Sequence, residues 1–281
     1  MLGEKSFDEE QILKNIMDWA SVESPCHHVE GVNAMMDLAS GSLEELGARI
    51  ERLAGQDGFG DVVIGRLANS DGKTGNGILL LSHLDTVHGV GTIDGRLPIR
   101  REGEKAYGPG ILDMKGGARL GLEAAAALQR EGVATRLPVT FMFTGDEEVG
   151  SPSTQTRIET EAKKHKYILV PEPLRPWGDV VTGRHAIQRF FVRTHGQPSH
   201  AGLTKAQGSS AIARMAELIT EIEAMTDYDR GTTYSVGTVH GGTFVNVVAI
   251  MCEAQVLCVA PSDELLEEVR QRMRALEGEK D

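Results

Sequence analysis

Residues 143–151, FTGDEEVGS, set three acids side by side: Asp146, Glu147 and Glu148. They close an apolar run, PVTFMF, that reads as a core strand. Two carboxylates about 4 Å apart repel by roughly 4 kcal/mol at an effective dielectric near 20. Either the acids face water on a loop, or something positive sits among them.

Three other stretches supply groups of the same kind. LLLSHLDTV ends an apolar run in His83 and Asp85, and the two-residue period of a strand turns both side chains to one face. A metal-binding histidine usually gives its other ring proton to a carboxylate. His83 fits the ligand and Asp85 its orienting partner, although such a pair standing alone reads as a hydrogen bond at a loop. AYGPGILDMKGG sets Asp113 in a glycine-rich turn before a helix. Its glycines match neither the dinucleotide fingerprint nor the P-loop, so the turn serves better to aim a carboxylate. ILVPEP holds Glu172 between Pro171 and Pro173 at the end of another apolar strand.

Ligand sites in open α/β sheets lie at the carboxyl ends of strands. His83, Asp113, Glu147, Glu148 and Glu172 would all end at one such edge. Four carboxylates converging there repel unless a cation neutralises them. One imidazole with several carboxylates suits zinc, with manganese or cobalt as acceptable substitutes. One glutamate of the adjacent pair can then bind metal while the other moves a proton.

The elements that must position these groups are visible in the periodicity. FDEEQILKNIMDWASVESP reads as a helix with early acids and a stop at Pro25, and GVNAMMDLASGSLEELG as a second helix ending at Gly47. DVVIGRL, GILLLSHL, PVTFMFTG and YILVPEP read as strands, with KGGARLGLEAAAALQREG and STQTRIETEAKKH as helices. That alternation implies an α/β layer with a mostly parallel sheet flanked by helices. After about residue 184 the order becomes β-α-β-β-α, with a strand expected over NVVAIMCEAQVLCVA and a last helix over SDELLEEVRQRMRALEGE. This order is that of a ferredoxin-like α+β unit without its last strand. The expected domains are 1–184 and 185–281.

Composition narrows the class. Of 281 residues, 40% are apolar and 25% charged, enough for a sizeable core without staples. A net charge of −12 argues against nucleic acid and anionic membranes as partners. Cys26, Cys252 and Cys258 show no CxxC spacing, so neither a disulfide framework nor a cysteine zinc site is expected. Cys252 and Cys258 lie an even number of positions apart and should share a core face. MLGEKSFDEE lacks the apolar core of a signal peptide, and no apolar run reaches the roughly 20 residues of a membrane span. A cytoplasmic location is expected.

SHLDTV, AYGPGILDMKGG, TGDEEVGS, PEP and GQPSHAG occur here in one order. The chain in this respect resembles the zinc metallopeptidases related to carboxypeptidase G, acetylornithine deacetylase, succinyl-diaminopimelate desuccinylase and aminoacylase. The stretch from SHLDTV to DEEVGS is most similar to the glutamate carboxypeptidase branch. The resemblance implies two zinc ions, one held by His83 and Glu172, the other by Glu148, with Asp113 bridging them ahead of a cis peptide to Met114. It also implies that Asp85 orients His83 and that Glu147 is the general base of a reaction cleaving a peptide or N-acyl amino-acid amide bond by a zinc-activated water. The second domain would be an inserted lid that carries a homodimer contact. His200 would reach the partner's site and steady the oxyanion, and Asn246 would hold the substrate.

Two departures from that pattern stand out. The family completes its second zinc site with a histidine from a C-terminal segment, and this sequence ends at Asp281 before one. His240 is no substitute, because it precedes the lid's glycine pair. The expectation is a fragment or truncated product with a depleted second metal position and an exposed lid edge, and the alternative to an enzyme is a non-catalytic relative keeping a metal half-site. The other departure is Val259, where the family usually has an arginine for the substrate carboxylate, with Leu257 at the usual acid. A serine or cysteine hydrolase has no GxSxG motif in its support.

Overall fold

The structure is a computed structural model describing residues 3, 6–69, 72, 76–174 and 178–278. Part of the N-terminal stretch read as lacking a signal core therefore lies outside the described residues, as does the expected end of the last helix at Glu279. The chain divides into two compact units, Met1–Asp179 and Val180–Asp281.

In the first unit, α1 (Glu9–Ala20) starts where the Asp8 side chain accepts the Gln11 N–H, with Glu9 and Glu10 facing the positive end of the helix dipole. α2 (Val29–Glu45) starts at His28, whose Nδ1 accepts the Gly31 N–H at 3.1 Å. There follow β1 (Arg49–Leu53), β2 (Val62–Leu67), β3 (Ile78–His83), the hairpin β4 (Arg100–Glu102) and β5 (Lys105–Tyr107), α3 (Gly116–Arg130), β6 (Val139–Thr144), α4 (Gln155–Ala162) and β7 (Tyr167–Leu169). The sheet order is β1-β2-β6-β3-β7. Pairing is parallel between β3 and both β6 and β7, and antiparallel on either side of β2. Thus β1, β3, β6 and β7 run one way and β2 runs against them, so the sheet is mostly parallel as expected.

Alternation along β6 feeds two cores. Phe141 and Phe143 pack with Trp19 of α1, Met35, Met36 and Leu43 of α2 and Leu122 of α3. Met142 turns the other way, to Val62, Ile64 and Leu79, under Ile158 and Ala162 of α4. On that second side Glu161 is buried, its carboxylate receiving Arg66, Lys164 and His165.

The second unit runs β8 (Ala186–His195), α5 (Ala211–Glu223), β9 (Thr233–Gly241), β10 (Met251–Ala260) and α6 (Asp263–Arg274). Its sheet order is β8-β10-β9, antiparallel throughout, the arrangement of a split β-α-β unit. Cys252, Ala254, Val256, Cys258 and Ala260 are buried and pack with residues of α5 and α6. The two cysteines share that buried face of β10 as their spacing implied.

The structure departs from the sequence expectations in several strands. The strand expected from Asn246 begins at Met251, because residues 244–250 form a turn and a bridge instead. β1 and the β4–β5 hairpin were not anticipated; both are short, charged and largely exposed, so neither carries the apolar signal of a core strand. Among the described residues, no helix is long and apolar enough to cross a membrane.

Candidate metal centre

The parallel strands bring their carboxyl ends into line. His83, the last residue of β3, pairs with Thr144 at the end of β6, and β7 runs alongside toward Glu172. Asp113 arrives from the turn that opens α3, after Gly110 in the left-handed region at φ 69°. The Asp113–Met114 peptide is cis, as the resemblance implied. The Met114 sulfur accepts the His83 N–H at 3.3 Å. A Cβ on Gly117 would stand 1.8 Å from the Pro171 carbonyl oxygen, so glycine alone lets α3 lie against the segment that carries Glu172.

His83 is buried, and both its ring nitrogens are engaged. Nδ1 lies 3.2 Å from the Asp85 carbonyl oxygen and 3.4 Å from Asp85 Oδ1. With Nδ1 donating on that side, Nε2 faces the carboxylates. Nε2 lies 3.1 Å from Asp113, 3.6 Å from Glu172 and 3.8 Å from Glu147. His83, Asp113 and Glu148 each offer a ligand atom within 4.8 Å of the others. The structure thus brings together all five groups that the sequence sent to this edge.

The three adjacent acids divide their work. Asp146 is fully buried and accepts from the Ser153 N–H and hydroxyl and from Thr154. It shapes the loop and does not reach the cluster. Glu147 and Glu148 turn toward His83 instead, and their N–H groups donate to Asp85 at 3.3 and 3.1 Å.

Electrostatics show how crowded the acids are. Burial, and the charges of Asp113 and Glu147 against the relief from His83, push Glu172 up to about 7. Burial and Asp113 raise Glu148. For His83, burial works downward, yet the Asp85 hydrogen bond and charge, with Glu172 and Glu147, lift it to about 9. An imidazole with a fixed tautomer, facing carboxylates that repel one another, is a donor set that fits a divalent cation.

Two buried groups beside the cluster escaped the sequence reading. Lys115, fully buried at the mouth of α3, donates to the Val22 carbonyl at 2.6 Å and reaches the Trp19 carbonyl at 3.5 Å. Burial pushes it down to about 7 against the pull of Asp85 and Glu23. Cys26 donates to Asp85 at 3.0 Å. A lysine and a cysteine in unrelated motifs carry no sequence signal that they will meet an acid here.

In the second unit His200 and Asn246 come together. His200 bridges to Val247, and the Ala201 N–H donates to the Asn246 carbonyl at 3.0 Å. His200 Nδ1 accepts the N–H groups of Gly202 and Leu203, each at 3.2 Å, which leaves the ring proton of the neutral form on Nε2. Val259 pairs with Ile187 and Thr233 inside the sheet.

Residues 79–280 match the family described as Peptidase family M20/M25/M40. Carboxypeptidase G2 of Pseudomonas sp. (strain RS-16) is 29% identical over 251 residues, covering 88% of this chain and 60% of that protein. Acetylornithine deacetylase of Myxococcus xanthus is 27% identical over 232 residues, covering 78% of this chain and 59% of that protein. The chain therefore spans about 60% of the length of these relatives. A tripeptidase structure from Staphylococcus aureus superposes with a TM-score of 0.74 at 16% identity, covering 94% of this chain and 69% of that one. At that identity the likeness speaks for the fold.

Proposed function

The chain belongs to peptidase family M20/M25/M40, and from that premise we propose a metal-dependent hydrolase of peptide or N-acyl amino-acid amide bonds. The observation that carries the reading is the convergence of His83, Asp113, Glu147, Glu148 and Glu172 on one sheet edge. His83, Asp113, Glu148 and Glu172 are the ligands in this proposal, and zinc is the preferred ion for an imidazole among carboxylates. A bound divalent cation would supply Lewis-acid polarisation of the scissile carbonyl and a lowered water pKa.

The chain's own groups do the rest. Asp85 fixes the His83 tautomer. Glu147, with its side chain about half exposed at the rim, takes a proton from the attacking water and passes it to the leaving amine. His200 offers Nε2–H to the oxyanion, and Asn246 contacts the substrate. Exchange of His200 across a homodimer, with residues 1–184 catalytic and 185–281 a lid, belongs to the same proposal. So does a cytoplasmic setting, which the three buried free cysteines support. Val259 in place of an arginine favours substrates without a demand for a paired α-carboxylate. The non-catalytic alternative is less favoured, because an acid free for proton transfer stands beside the ligand set.

Chelation is expected to abolish turnover of an N-acyl amino acid and added zinc to restore it, while His83→Ala lowers bound metal by elemental analysis. Turnover indifferent to chelator, or unchanged metal stoichiometry in His83→Ala, would sink the proposal. Cation binding is also expected to release protons near neutral pH. Glu172 at about 7 and His83 at about 9 hold protons that a ligand must shed, so affinity should fall as pH drops through those values. Calorimetry in buffers of different ionisation enthalpy reads the proton count, and a buffer-independent enthalpy would contradict it.

A further inference from the structure

We propose that Cys26 is a positioning residue for this centre, its thiol holding the Asp85 carboxylate in the orientation that serves His83. The inference rests on the metal-centre reading above. Asp85 is fully buried, so bulk solvent does not reach its carboxylate. Its two oxygens divide their donors. Oδ1 faces His83 Nδ1 at 3.4 Å and the Glu147 N–H at 3.3 Å. Oδ2 takes the Glu148 N–H at 3.1 Å and the Cys26 thiol at 3.0 Å. Removing the thiol leaves Oδ2 with one donor from a turn and weakens the barrier to rotation of the carboxylate.

The aim of the thiol is built into the backbone. Ser24 Oγ donates to the Leu84 carbonyl at 2.6 Å, and the Thr86 N–H donates to the Ser24 carbonyl at 2.9 Å. Pro25 bridges to Thr86 in parallel. These contacts stitch residues 24–26 along the Asp85 turn on both sides. The thiol therefore approaches Asp85 from a fixed direction, with no side-chain search required.

Burial and the Asp85 hydrogen bond push the Cys26 thiol up to about 12, so it stays a donor through the neutral range. A thiol held protonated and inside is a poor nucleophile and a poor redox sensor. Hydrogen-bond donation is the chemistry left to it. Partners hydrogen-bonded directly to a ligand, as Asp85 is to His83, typically change metal affinity by about 10–100-fold when lost, and Cys26 acts one hydrogen bond further out.

The test is a competitive zinc titration against a chromophoric chelator. Cys26→Ala is expected to weaken zinc binding measurably, by up to about tenfold, and Cys26→Ser, which keeps a donor, is expected to restore affinity toward wild type. Equal affinity in wild type and Cys26→Ala, or a serine variant as weak as the alanine, would overturn the proposal while leaving the metal-centre reading in place. A wild-type protein without zinc affinity would overturn both. A metal-free readout guards against variants that fail to fold. The Cys26 S–H stretching band, isolated as the wild type minus Cys26→Ser infrared difference, is expected below that of Cys258 in its apolar core. Matching frequencies would remove the hydrogen bond and the proposal with it.

Discussion

Replacing Glu147 with glutamine is expected to lower turnover by about 10²–10⁴-fold, the usual contribution of a general acid–base group, with metal content unchanged. The amide keeps the shape of the side chain and loses its capacity to take a proton. Glu147 lies 3.8 Å from His83 Nε2, a longer separation than that of Asp113 or Glu172, and it is half exposed to the space a substrate would enter. Its backbone N–H donates to Asp85 regardless of the side chain, so the turn should survive the change. Glu148→Gln provides the contrast, because a ligand replaced by an amide should lose metal and activity together. Paired kinetics and elemental analysis separate the two. Wild-type turnover in Glu147→Gln would place the base elsewhere.

A second large effect lies on the far side of the sheet. Glu161→Ala is expected to destabilise the first unit by about 3–5 kcal/mol at pH 7, the cost of removing one partner from a buried pair. Glu161 is 3% exposed, and Arg66, at 18%, donates to both its carboxylate oxygens, with Lys164 and His165 as further donors. The Arg66 hydrogen bonds, against the opposing effect of burial, hold the Glu161 carboxyl far below the ordinary carboxylate range. A depressed folded pKa contributes stability that is fully present above the unfolded value of about 4.3. That contribution is lost as pH falls toward the folded value. The gap between wild type and Glu161→Ala should therefore be constant near neutrality and shrink below about pH 4. Urea unfolding at several pH values reads it, and a gap under about 1 kcal/mol at pH 7 would mark the network as a solvated surface pair.

The parts of the fold that were legible in the sequence are those where burial forces a pattern. Apolar runs at β3 and β6 and the helical periodicity of α1 to α3 reveal themselves because each must feed a core. β2 read as a strand, but nothing in VVIGRL states that it runs against its neighbours. β1 was invisible because RIERL is a short edge strand with three charges in five residues and no fully buried position. At the site, the ends of the buried strands β3 and β6 announced His83, Glu147 and Glu148, since a polar group closing a core strand needs a reason, whereas Glu172 was announced by an apolar run that the structure leaves exposed and ends at Leu169. Asp146 was rightly left out of the converging set, though its own role was not legible, because the Ser153 and Thr154 donors that claim it come from the following loop. Cys26 and Lys115 stayed hidden because their contacts span 59 and 93 positions.

The stretch that matches the family opens at residue 79, whereas the carbonyls of Trp19 and Val22 that receive Lys115, and the thiol that meets Asp85, all precede it. A graft of the recognisable segment into another scaffold would thus carry the ligands and leave behind their anchorage. Lys115 would then be a buried cation without acceptors two positions from Asp113, and it would draw water or a stray anion into the turn. Anyone minimising this protein, or transplanting its chemistry, must move the first helix together with the motifs.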